Sequence, residues 1–180
     1  MKSGFTNAFT LIELLVTISI LGILVSLVVP QVGRGIEKAN SIKCSNNLRQ
    51  IGAAVGLYAQ DNDDRFPAIE SMPSDPVYTS PDASGETPKP ILEVLSPYGV
   101  TEAGLKCPSD LRGPNYFKKE GSSYQWRNIV DDEIASAPKV YTRRGVRNPM
   151  TAWLLLATDY DAVHGGHANR LYADGHIKAF

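Results

Sequence analysis

Three sets of side chains in this 180-residue chain could do chemistry. The first is a lone carboxylate, Glu13, set inside an apolar run. A carboxylate in a bilayer-spanning helix costs about 2.5–3.5 kcal/mol on insertion scales, so it needs a cationic partner or a hydrated place near the headgroups. The second is Cys44 and Cys107, the only cysteines. In an oxidising compartment they could be bridged, tying a helix to the turn Cys107-Pro108-Ser109-Asp110. Such a bridge is worth about 2–4 kcal/mol. The alternative is two reduced, buried thiols.

The third set is His164, His167 and His176 beside Asp159, Asp161 and Asp174. His164, His167, Asp174 and His176 are the metal-ligand candidates. Zinc would need at least two of the three histidines, and calcium would need carboxylates and carbonyls to dominate. The spacing is not diagnostic, for there is no His-Glu-x-x-His and no Cys-x-x-Cys. The simpler reading makes these turn and edge residues, with hydrogen-bonding roles and no cofactor. Asp61-Asn62-Asp63-Asp64 invites a calcium loop, but the later ligand places hold Arg65, Phe66 and Met72, so it reads as a solvated turn that ends a helix. Ser, His and Asp are present without a Gly-x-Ser-x-Gly elbow or a phosphate-cradling glycine loop, so no enzyme is expected.

The elements that position these groups follow from charge and periodicity. Lys plus Arg is 18 and Asp plus Glu is 19, a net charge of −1 that argues against nucleic-acid binding. Arg143, Arg144 and Arg147 cluster, which reads as a solvated loop. Residues 1–30 hold two charges, Lys2 and Glu13, and none falls between Glu13 and Arg34. The run from Phe9 to Val29 would reach roughly 32 Å as a helix, enough to cross a hydrocarbon core. It is longer than a signal-peptide core and lacks an Ala-x-Ala site, so a retained anchor is expected. Beyond it, Leu48, Ile51, Val55 and Tyr58 recur at helical spacing. One stem helix is therefore expected from about Phe9 to Ala59. The prolines between Pro67 and Pro90 mark a loop. A short helix is expected at Ile91–Leu95 and strands at Ser123–Ile129 and Trp153–Thr158. A hairpin should join Arg170–Ala173 to His176–Phe180 through a two-residue type I′ turn at Asp174-Gly175. The fold class is α+β, a long N-terminal helix packed against a small antiparallel sheet.

Phe9-Thr10-Leu11-Ile12-Glu13-Leu14-Leu15-Val16 resembles the N-terminal signature of type IV pilins and type II secretion pseudopilins. The resemblance implies a leader at 1–8 and cleavage between Ala8 and Phe9 by a prepilin peptidase. The family usually has Gly before the cut, where this chain has Ala8. It further implies methylation of the Phe9 amine and pairing of Glu13 with that amine in a filament. Gly22 and Pro30 match the pattern as places where the stem helix can change length. Implied domains are an assembly helix at 9–30, its amphipathic continuation at 31–60, a Pro-rich loop at 61–90 and a β-rich head at 91–180. Implied partners are further copies or other pilin-like subunits, an inner-membrane platform protein and an assembly ATPase. The N-terminus would be cytoplasmic and the head periplasmic. Relatives in this family can carry a calcium loop. His164, nine residues and then Asp174-Gly175, with Asn46–Gly52 and Cys107–Asp110, resemble a pilin-like group abundant in planctomycete- and verrucomicrobia-like bacteria. That resemblance assigns the motif no role. The rival reading is a membrane-tethered periplasmic module that binds a ligand and does not polymerise.

Overall fold

The computed structural model describes residues 10–70, 74, 87–110, 115–127, 131, 133–142, 145–147, 154–160, 164 and 166–179. Helix α1 spans Leu11–Asp61. The chain divides into two compact units, one reaching to Glu37 and one from Lys38 to Phe180.

In the first unit the apolar side chains face outward. Leu11 is 82 % exposed and Val16, among the least exposed, is still 47 % exposed. Water would not tolerate such a surface; lipid would. This is the one helix among the described residues long and apolar enough to cross a membrane. Its hydroxyls are satisfied from within: Thr17 donates to the Leu14 carbonyl, Ser19 to Leu15 and Ser26 to Ile23. None of the three therefore needs water in the apolar span. Pro30 lies inside the helix, where it leaves the Ser26 carbonyl without its main-chain donor.

In the second unit the remainder of α1 supplies one wall of a core. Leu48, Ile51 and Val55 are buried and Tyr58 is partly so, which is the expected stripe, and Cys44 is buried beside them. The other wall is a four-stranded antiparallel sheet of β1 (Tyr124–Trp126), β4 (Leu155–Asp159), β5 (Asn169–Tyr172) and β6 (Ile177–Ala179), in that order. A register shift between Leu155 and Ala157 marks a bulge in the β4–β5 ladder. Short helices α2 (Ile91–Leu95) and α3 (Tyr116–Glu120) also belong to this unit, with Ile91 and Leu95 buried. The α+β layout expected from the pattern is the one present.

Three details differ from expectation. The strand at Ser123–Ile129 is shorter, Tyr124–Trp126, and residues 128–130 lie outside the described set, as does Trp153. The stretch around Arg147, expected as a loop, forms a separate hairpin of β2 (Val140–Thr142) and β3 (Gly145–Arg147); Arg143 and Arg144 are outside the described residues. At the start of the 61–90 loop Phe66 and Ile69 are buried, and Glu70 N–H donates to the Lys89 carbonyl. The Asp174-Gly175 turn is not type I′. Gly175 N–H donates to Tyr172 and Tyr172 N–H to His176, which leaves a three-residue loop, Ala173–Gly175. Only Gly175 in it has a positive φ, +84°. This is a type I turn closed by a left-handed glycine, and it spares Asp174 the left-handed backbone that type I′ demands.

The acidic end of α1 does read as a helix-ending turn. Asp63 and Asp64 both take left-handed backbone, and Asp64 N–H returns to the Ala59 carbonyl at 2.9 Å. The Asp64 carboxylate accepts both the N–H and the hydroxyl of Ser136.

Candidate functional site

The N-terminal site is built on a helix start. Thr10 Oγ1 accepts the Glu13 N–H at 3.3 Å, and Glu13 Oε2 accepts the Thr10 N–H at 2.9 Å. The Thr10 hydroxyl also donates to Oε2 at 2.7 Å. This is a capping box, in which the third helical residue reaches back to the first uncapped donor. It holds the carboxylate at the backbone nitrogen of the residue after Phe9. Ala8 and Phe9 themselves lie outside the described residues. Gly22 and Pro30 lie farther along the same exposed apolar helix.

The second site lies in the head. Cys44 of α1 and Cys107 form a disulfide, and both residues are fully buried. Its surroundings are polar and closed. The Cys107 N–H donates to Ser123 Oγ at 3.0 Å, and that hydroxyl donates to Asp110 Oδ2 at 2.8 Å. Asp110 also accepts the N–H groups of Tyr116 and Phe117, the first donors of α3. The Cys107–Asp110 turn thus carries one end of the bridge and also positions a helix start, and sequence spacing alone did not disclose the second role.

His164 stands against the sulfur, its Nε2 3.5 Å from Cys107 Sγ and 3.4 Å from Asp159 Oδ2. Its main chain is fixed by paired hydrogen bonds with His167, each 3.2 Å. Asp159 Oδ2 accepts two donors of Asn169, its N–H at 2.8 Å and its amide at 3.1 Å. Asn169 Oδ1 in turn accepts the Ser45 hydroxyl of α1 at 2.9 Å. Helix, disulfide and strands β4 and β5 therefore meet in one buried polar network. A nucleophile–base–acid relay would put sulfur and carboxylate on opposite nitrogens of the imidazole. Here both meet Nε2, and the sulfur is already bonded, so the arrangement braces the head.

The His-x9-Asp-Gly motif is split between two jobs. His164 is 5 % exposed at the disulfide. Asp174 lies in the exposed hairpin loop, where its Oδ1 accepts the His176 N–H at 3.1 Å and contacts His176 Nδ1 at 2.5 Å. The His176 N–H holds the Asp174 carboxyl below the usual carboxylate range. His176 stacks on Tyr172 at 4.3 Å. His167 is exposed, and Asp161 is outside the described residues. Among the described residues the gathered metal-ligand set is Cys44, Cys107 and His164; sequence spacing did not suggest the cysteines for it.

The motif Asn46–Gly52 has a packing role. The Asn47 amide donates to the Lys106 carbonyl at 3.2 Å and to the Tyr124 hydroxyl at 3.0 Å. Burial pushes the Tyr124 phenol well above its ordinary value, so it stays a neutral hydrogen-bonding group.

No protein-family model matches this chain. No solved structure matches it. Curated proteins do. The chain is similar to type II secretion system core protein G of Pseudomonas aeruginosa, 33 % identical over 125 residues that cover 65 % of this chain and 88 % of that protein. It is 40 % identical over 70 residues to the protein of the same name from Pectobacterium carotovorum, covering 38 % of this chain and 44 % of that one. The Aeromonas hydrophila protein of that name is likewise 40 % identical over 70 residues, with 39 % and 48 % covered. An exposed apolar helix opening on a capped glutamate, an α+β head later in the sequence, and a match across most of the Pseudomonas protein place the chain together: it belongs to the type II secretion pseudopilins, the family of core protein G.

Proposed function

We propose that this chain is a structural filament subunit, cut between Ala8 and Phe9 by a prepilin peptidase and assembled through its N-terminal helix. The observation that carries the reading is a single carboxylate, Glu13, at the head of a helix whose residues 14–33 are all exposed and carry no charge. Cleavage would create an α-amine at Phe9, one residue before the nitrogen that Glu13 already holds. Methylation keeps that amine cationic. In a bundle of such helices each carboxylate meets an amine, its own or a neighbour's, and breaking the pair strands a buried charge. The pair therefore sets the axial register of the filament.

The partners are further copies or other pilin-like subunits along the helix, with a platform protein and an assembly ATPase supplying the work. The N-terminus lies in the cytoplasm before assembly and the head in the periplasm, where the Cys44–Cys107 bridge suits the compartment. Gly22 and Pro30 weaken the helix locally and let the stem lengthen in the filament. The head fits the pilin-like group with a C-terminal His-x9-Asp-Gly, and its motif serves to brace the bridge and close a hairpin.

Mass spectrometry of the protein from native membranes tests this reading. A mature chain that starts with N-methylated Phe9 is expected. An intact Met1 would instead support a plain anchored module that does not polymerise.

A further inference from the structure

We propose that the side chains around the head disulfide form a second, mutually exclusive closure: a zinc-class metal site made by Cys44, Cys107 and His164, with Asp159 as fourth ligand, when the bridge is reduced. Cys44 Sγ, Cys107 Sγ and His164 Nε2 lie within 4.8 Å of one another. Tetrahedral zinc with Zn–S of about 2.3 Å and Zn–N of about 2.0–2.1 Å sets neighbouring ligand atoms roughly 3.3–3.8 Å apart. The Cys107–His164 separation of 3.5 Å is already that spacing. The sulfurs need only part from bonding distance, and they sit on backbone positions 5.3 Å apart.

A separate observation points to the fourth ligand, Asp159, which lies 3.4 Å from His164 Nε2 and outside the three-residue set. Asp159 is 2 % exposed, and its Oδ1 has no hydrogen-bond partner among the described residues, while Oδ2 is held by Asn169 and faces His164. A buried carboxylate oxygen without a donor is costly unless something cationic answers it. Two thiolates and an imidazole select a borderline-soft ion such as zinc over calcium or magnesium. The buried setting, with Asn169 and Ser45 behind the carboxylate, supplies the outer support that fixes such ligands.

The chemistry balances in two steps. A dithiol or phosphine reductant gives the disulfide two electrons, and two protons make two thiols. Zinc then displaces those two protons and binds the thiolates. The ion and the bridge compete for the same sulfur electron pairs, so each state excludes the other.

The test uses the full-length chain in detergent micelles, reduced with a phosphine, with zinc alone as probe and a chelating dye as competitor. The reduced chain should take one zinc ion and the disulfide form none. Asp159→Asn and His164→Gln should each weaken binding about 10-fold or more. Cobalt in place of zinc should give a thiolate-to-metal charge-transfer band that His164→Gln shifts. If reduction unfolds the head, added zinc should restore its circular dichroism. Zinc uptake no greater than in a Cys44→Ser, Cys107→Ser double variant would overturn the proposal. So would equal uptake by the disulfide form, a cobalt spectrum indifferent to His164→Gln, or a reduced head that zinc fails to refold.

Discussion

A Cβ on Gly52 would stand 2.9 Å from Cδ1 of Leu171, so α1 and β5 meet where the helix carries no side chain. Leu171 is fully buried and has little room to retreat. Gly56, one turn on, is exposed and has nothing within 4 Å of its would-be Cβ. The two glycines should therefore answer oppositely to substitution. Gly56→Ala should raise the head's unfolding free energy by up to about 1 kcal/mol through helix propensity. Gly52→Leu should lower it by about 1–3 kcal/mol through overpacking. Denaturant titration of the full chain in detergent checks both.

Removing the disulfide should loosen the head. Its half-cystines are 63 residues apart in sequence, so Cys44→Ala with Cys107→Ala should cost about 2–4 kcal/mol, with a chelator present to exclude metal. Head stability unchanged in that double variant would mean that the network of His164, Asp159 and Asn169 holds helix to sheet without the bridge.

Asp110 holds three donors in a buried setting, Ser123 Oγ and the N–H groups of Tyr116 and Phe117. Asp110→Ala should cost about 2–3 kcal/mol, more than a surface carboxylate, because those donors lose a charged acceptor. Amide exchange at Tyr116 and Phe117 should quicken selectively, and nuclear magnetic resonance of the head signals would report it.

Glu120 gives the head a pH dependence. Burial pushes its carboxyl up, but the hydroxyl and N–H of Ser74, with Lys119, outweigh that and leave it below the ordinary value. A lowered folded value means stability that is full above the unfolded value of about 4.3 and lost as pH falls through the folded one. Unfolding free energy should be flat near neutrality and decline below roughly pH 5. Glu120→Gln should flatten part of that decline. An identical acid slope in the variant would remove Glu120 as its source.

The sequence made some of this legible and hid the rest for physical reasons. The apolar anchor and the stripe Leu48–Ile51–Val55 are local periodicities, and local periodicity survives without knowledge of the fold. Short strands such as Val140–Thr142 carry three residues each, too few for alternation to register. The hairpin glycine was visible, yet the turn type depends on which residue takes the left-handed backbone, and Asp174's acceptance of the His176 N–H is a three-dimensional fact. The meeting of His164 with Cys107 spans 57 positions, and that of Asn169 with Ser45 spans 124. No window of sequence contains either pair.

Filament yield from Glu13→Val tests the central claim most directly, with Thr10→Ala as the companion that breaks the capping box but keeps the carboxylate. Both variants should reach the membrane at normal level. Thr10→Ala should still yield filaments, while Glu13→Val should yield at least about 10-fold fewer, since its apolar span then has no carboxylate to answer the new amine. Normal filament yield from membrane-inserted Glu13→Val would contradict the account.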